Sequence, residues 1–192
     1  MTKSGNQVRT SETHPLYINE VTVPGVSGRI GITFCPGKKG ESFTGPGWDR
    51  DLRADLDVIV GWGACTVITL LEDHEFDMLG VPALGAAIAA RGLSWCHLPI
   101  PDGAAPEMGF DESWTRKRTD FADALRQGQS ILVHCRGGLG RAGTVACLLL
   151  TDQGMGWREA LALVRSMRPG AVETRAQEAY LTGYSPSQTG FD

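Results

Sequence analysis

The sequence predicts an α/β fold with a central, mainly parallel β-sheet flanked by helices. Two features carry that expectation. Short β-branched or apolar runs alternate along the chain with segments whose apolar residues recur at helical spacing, and strands that alternate with helices build parallel sheets. The chain's 192 residues are enough for one sizeable core and short for two. A single domain over 21–185 is therefore expected, between a loosely held arm at 1–20 and a polar tail at 186–192.

Taken in order, the arm is polar and lacks periodicity. Residues 29–34 form the first strand candidate. The Gly- and Pro-rich stretch 36–47 after it reads as a loop and not as a linker, because the strand needs the later segments in order to pair. Leu52, Leu56 and Ile59 share a helical face after Asp49, and 66–71 and 93–100 are the next strand candidates. Trp114, Phe121 and Leu125 mark a helix ending before Gly128. Residues 130–134 make a buried-type strand, 142–150 a buried-type helix, and Leu161, Val164 and Met167 an amphipathic helix before Pro169-Gly170. Cys65, Cys96 and Cys147 fall in apolar patterns and read as core, while Cys35 begins a loop.

Composition excludes several classes of partner. A net charge of -4 with scattered basic residues argues against a nucleic-acid or anionic-membrane surface. No apolar stretch reaches the roughly 18 to 20 residues that span a bilayer, and the first residues lack the apolar core of a secretory signal. The cytoplasm is the expected compartment. Five cysteines without C-x-x-C pairing suggest free thiols, with no disulfide framework and no zinc site. No cofactor or metal is expected.

In a parallel α/β sheet, ligands bind beyond the carboxyl ends of strands, so the turn after 130–134 is the first place to look for chemistry. It reads His134-Cys135-Arg136-Gly137-Gly138-Leu139-Gly140-Arg141. Three glycines let successive N–H groups turn on an anion, and the loop empties into a helix whose positive end faces the same point. A cysteine at the start of such a loop is favoured as thiolate, the form that attacks phosphorus. Arg141 can close the loop with a planar fork that grips two phosphoryl oxygens. No Gly-Lys-Ser/Thr follows the glycines, and a charged Arg136 sits within the turn, so nucleotide and dinucleotide loops do not fit.

These residues resemble the cysteine-based protein-tyrosine and dual-specificity phosphatases, whose signature is His-Cys, five residues, then Arg. Within that superfamily the chain is most similar to the kinase-associated, cyclin-dependent-kinase-inhibitor type. That group's Gly-Gly-Leu-Gly-Arg recurs here, together with LeuProIleProAspGly at 98–103 and GlyAlaValGluThr followed by Gln177 and Tyr180. The resemblance spans residues 30 to 185 and implies a protein-tyrosine-phosphatase-like fold, with Arg136, Gly137, Gly138, Leu139, Gly140 and Arg141 binding the phosphoryl group. It also implies that Gln177 positions a water and that His134 orders the cysteine loop. Spacing alone would place Gln177 on the exposed face of the last helix.

Departure of an alkoxide or phenoxide needs an acid from another segment. Asp102 fits: it follows Pro99 and Pro101 and precedes Gly103 and Pro106, a stiff-edged loop that could close on substrate. The resemblance puts the general acid at the same residue. Asp111 and Glu112 are alternatives, but Asp111 falls where a helix N-cap is expected before Trp114. The chain departs from the family at Ala142, where a Ser or Thr usually donates to the cysteine sulfur. Thr144, about 200° further round the helix, is not expected to replace it.

The expected activity is phosphomonoester hydrolysis on a phosphorylated protein, at phosphotyrosine and also at phosphoserine or phosphothreonine. The alternatives are a catalytically silent phosphate-binding module, or a phosphatase for a non-protein ester such as a lipid. A nucleophile, an arginine and an acid are all present, which favours the enzyme. The single Arg136 among loop positions 136–140 disfavours a multiply phosphorylated lipid.

Overall fold

The computed structural model describes residues 8–42 and 45–186. Five strands form one sheet: β1 (Asn19–Thr22), β2 (Arg29–Phe34), β5 (Ala64–Thr69), β6 (Ser94–His97) and β7 (Ser130–Cys135). A separate two-stranded ribbon pairs β3 (Lys39–Gly40) with β4 (Trp48–Asp49). The helices are α1 (Leu52–Trp62), α2 (Asp73–Met78), α3 (Leu84–Ala89), α4 (Met108–Arg126), α5 (Gly140–Asp152), α6 (Trp157–Met167) and α7 (Arg175–Gly183). The sheet order is β1-β2-β7-β5-β6, with β1 antiparallel to β2 and the other pairings parallel. The mainly parallel sheet read from the alternation is the one observed.

β7 is central and every residue in it is buried. Ile131 and Val133 face one apolar layer with Val145 and Leu149 of α5 and Val164 of α6, while Leu132 faces the other with Leu56, Ile59, Leu84 and Ile88. Each such side chain contributes about 1.5–3 kcal/mol of burial. α5 lies beneath other helices, which explains why 142–150 is apolar on all faces. Parallel pairing sets Phe34 beside Cys135. The segment leaving β2 therefore emerges next to the loop leaving β7.

Some boundaries differ from the sequence reading. Residues 8–20 of the expected arm are held down: the Arg9 guanidinium stacks 3.7 Å from the Trp48 ring, Leu16 is buried, and Arg50 donates to the His14 carbonyl at 2.7 Å. Those anchors sit on isolated residues with no periodicity to reveal them. All of the tail except Pro186 lies outside the described residues. The cap of α1 is Asp51, whose side chain accepts from the Ala54 amide. α4 starts after Glu107, so Asp111 lies inside its first turn and is not the N-cap. Cys65, read as core, is exposed beside a register shift between Ala64 and Thr66, whereas Cys96 and Cys147 are buried. β6 stops at His97, ahead of Pro99 and Pro101, which cannot donate to a ladder.

Candidate active site

β7 delivers Cys135 to the carboxyl end of the sheet, and the loop after it is shaped by its glycines. Gly138 has a φ of +67, and a Cβ there would lie 2.5 Å from the Thr33 carbonyl, so only glycine fits. Its N–H donates to Cys135 Sγ at 3.2 Å. The loop carbonyls are claimed from behind. Lys38 Nζ donates to the Arg136 oxygen at 3.2 Å, and Arg168 donates to the Gly137 and Gly138 oxygens at 3.1 and 3.0 Å. Peptide planarity then turns the following N–H groups the opposite way, toward the sulfur side. A ring of amides around a thiol at a helix N-terminus is an oxyanion cradle.

Arg141, in the first turn of α5, is buried against Glu75 of α2. Its two terminal nitrogens donate to the Glu75 carboxylate at 2.5 and 2.9 Å, and Nη1 also reaches the Ile100 carbonyl at 3.1 Å. Burial alone would raise the Glu75 pKa, but the Arg141 hydrogen bond and the Glu72 main chain outweigh it and hold the carboxyl below its ordinary range. Burial likewise opposes the Arg141 charge, and Glu75 outweighs it, so the guanidinium stays ionised and fixed in orientation.

Asp102 shares the Nη2 nitrogen of the same guanidinium with Glu75: its Oδ1 lies 2.9 Å from Arg141 Nη2. Its side chain is 58% exposed, so it has room to turn onto another partner. Asp111 and Glu112 do not join this group. Asp111 accepts from the Tyr180 hydroxyl at 2.5 Å and lines a cavity of about 420 Å³ between α4 and α7 whose lining residues include no cysteine. Glu112 is exposed on α4. The cleft at the loop, about 350 Å³, is lined by Asp102, Arg136, Gly137, Leu139, Lys38 and Glu173, among others.

His134 is fully buried, with Nε2 2.8 Å from the Thr69 hydroxyl. Its Nδ1 lies near the Cys135 main chain but outside hydrogen-bond geometry. Burial, partly offset by that main chain, pushes its pKa down to about 3. The ring is neutral at neutral pH, which suits an ordering role and not proton transfer. Gln177 is buried and not exposed. Its Oε1 accepts from the Glu173 amide at 2.9 Å and its Nε2 donates to the Ala104 carbonyl at 3.0 Å, tying the Asp102 loop to the start of α7. Thr144 donates its hydroxyl proton back to the Gly140 carbonyl at 2.8 Å, and Ala142 is buried.

The structure thus brings together Cys135, loop 136–140, Arg141 and Asp102. It adds four groups to which the sequence reading gave no role: Glu75, Lys38, Arg168 and Glu173. Lys38 is nearly buried over the Phe34 and Trp48 rings, and that burial lowers its pKa to about 8. A lysine or arginine that will serve a loop carbonyl carries no local sequence mark.

Residues 49–181 match the family described as Swiss Army Knife protein, DSP-PTPase phosphatase domain. The chain is 30% identical over 154 residues to cyclin-dependent kinase inhibitor 3 of Mus musculus, covering 79% of this chain and 69% of that protein. It is 32% identical over 138 residues to protein tyrosine phosphatase type IVA 3 of Bos taurus, covering 71% and 73%. Among solved structures, a kinase associated phosphatase with its catalytic-site cysteine replaced by serine superposes with a TM-score of 0.75 at 25% identity. That match covers 87% of this chain and 92% of the other.

Proposed function

The chain belongs to the dual-specificity and protein-tyrosine phosphatases, and from that premise we propose that it hydrolyses phosphomonoesters on proteins through a phosphocysteine intermediate. The observation that carries this reading is the Cys135 sulfur, capped by the Gly138 N–H at 3.2 Å, at the start of the loop that leads into Arg141, whose Nη2 lies 2.9 Å from Asp102 Oδ1.

In the first step Cys135 Sγ attacks phosphorus. The ester P–O bond breaks, and the leaving oxygen takes its proton from Asp102. The loop amides of 136–140 and the Arg141 fork hold the other phosphoryl oxygens as charge develops on them. For this, Asp102 gives up its place on Arg141 to the phosphoryl group. In the second step water enters from the side the leaving group vacated, in line with and opposite the P–S bond, its proton passes to Asp102, and the P–S bond breaks to return the thiolate. Gln177 serves this step as a positioning residue, through its hold on Glu173 and Ala104. Five free thiols suit work in the reducing cytoplasm.

Leaving-group dependence tests the reading. Asp102→Asn is expected to slow esters with poor leaving groups by about a hundredfold or more, and aryl esters with good leaving groups by much less. If Asp111→Asn produces that pattern and Asp102→Asn does not, the acid is misassigned.

Ala142 sets a second expectation. Without a hydroxyl at 142, the departing thiolate has the Gly138 N–H for support, and Thr144 is spent on its own helix. A missing hydrogen bond to a charged group is worth about 1.5–3 kcal/mol, so breakdown of the phosphoenzyme is the slow step. Rapid-quench kinetics on an aryl phosphate should give a pre-steady-state burst in the wild type. Ala142→Ser should raise steady-state turnover at least about tenfold while shrinking that burst. No wild-type burst, with turnover unchanged in Ala142→Ser, would mean that the departure at 142 is silent.

A further inference from the structure

The first backbone amide of α5 already carries an anion. Glu173 Oε2 accepts from the Gly140 N–H at 2.7 Å, a short, charge-assisted bond at the positive end of the helix. Gly140 belongs to the loop that would hold a phosphoryl group, and Glu173 lines the same cleft as Asp102 and Gly137. The approach depends on the missing side chain, because a Cβ at 140 would lie 2.6 Å from that oxygen.

The backbone before Glu173 is built for this aim. Val172 sits at φ 58, in the left-handed region, which a β-branched residue enters at a cost of about 1–3 kcal/mol. It is held there by Arg165, which donates to the Ala171 and Val172 carbonyls, each at 3.1 Å. Gln177 Oε1 fixes the Glu173 amide from the other side at 2.9 Å. A strained residue clamped on both flanks, followed directly by a carboxylate on a cradle amide, is the arrangement that calls for a function.

Resting on the phosphatase reading, we propose that Glu173 is an internal counter-ligand of the anion cradle. Its carboxylate holds the Gly140 N–H in the unliganded enzyme and yields it to an incoming phosphoryl group. The carboxylate and a phosphoryl oxygen compete for one donor, and their like charges repel at close range. Oxyanion binding therefore includes the work of displacing Glu173, and product phosphate is held less tightly than the bare loop would hold it. Together with Asp102 on Arg141, Glu173 makes the cradle select substrates that bring binding energy from beyond the phosphoryl group.

Sulfate at pH 7 is a suitable probe, since its charge does not change near neutrality. Isothermal titration of the full chain with sodium sulfate is expected to show about tenfold or tighter binding in Glu173→Gln and in Glu173→Ala than in wild type, the scale of one charged hydrogen bond. Glu173→Asp keeps the charge on a shorter reach; it should bind with intermediate affinity, and it decides the matter where a neutral variant does not fold. A residue that merely held the loop's shape would give the opposite sign, because its loss would loosen the cradle. Unchanged or weaker sulfate binding in the variants overturns the proposal. Wild-type aryl-phosphatase activity, measured in parallel, separates the two ideas. An inactive wild type counts against the phosphatase reading, while equal sulfate affinities in an active enzyme count only against Glu173.

Discussion

Replacing Cys135 by Ser should reduce hydrolysis of a small aryl phosphate by a factor on the order of 10⁴ or more, the scale of losing a covalent nucleophile. A serine hydroxyl is neutral at pH 7, and the group bonded to the sulfur is the Gly138 N–H, a donor that cannot take a proton. His134, the adjacent imidazole, is turned toward Thr69. The cradle should survive the change, because its amides are set by Gly138 and by the Lys38 and Arg168 bonds to loop carbonyls, and those carbonyl bonds do not involve the sulfur. Cys135→Ser should therefore still bind tungstate or sulfate, with an affinity close to that of the wild type. Initial rates and calorimetry check the two halves separately. Retained turnover in Cys135→Ser would rule out the phosphocysteine route, and lost anion binding with the fold intact would mean that the sulfur organises the loop.

The chemistry legible in the sequence was that carried by contiguous residues. His134 to Arg141 is a strand end, a glycine-rich turn and a helix start in unbroken order, and each of those states has a local signature. Asp102 was legible because prolines and a glycine mark a stiff turn around it. Glu75 was not. It lies on a six-residue helix, too short to show a helical pattern, and only the fold brings Arg141 onto it. Lys38 and Arg168 act on loop carbonyls across 98 residues and about 30 residues of chain, and no periodicity encodes such contacts. Gln177 illustrates the limit from the other direction. Helical spacing argues for an exposed position, yet its capping role and the Ala104 carbonyl bury it. β1 was missed because four residues at a sheet edge, three of them polar, give too short a pattern to rise above the arm beside it.

Arg141→Lys should lower kcat/KM by about 10³-fold, although the positive charge is kept. One preorganised donor lost from an oxyanion site typically costs about 10²–10³ in rate, and this substitution removes more than one. The guanidinium turns two nitrogens on Glu75 and still presents Nη2 to the cleft, where Asp102 now lies. An ammonium is a single point with no fork, so it can sit on the Glu75 carboxylate or on the phosphoryl group but not span both. Buried Glu75 is the nearer and stronger partner, so the lysine should be drawn to it and away from substrate. The fold should weaken as well, because one charged hydrogen bond to Glu75 is lost, at about 1.5–3 kcal/mol. For a chain of this size that corresponds to a melting temperature lower by roughly 3–12 °C. Glu75→Gln provides the control. It leaves the fork in place with a neutral, weaker anchor, so it should lose much less activity, about tenfold, mainly through disorder of a group that still reaches the phosphoryl oxygens. Steady-state kinetics on an aryl phosphate beside thermal unfolding of both variants gives the comparison. If Arg141→Lys keeps activity within tenfold of wild type, charge and not fork geometry is what the site requires, and the Glu75 pairing serves stability alone.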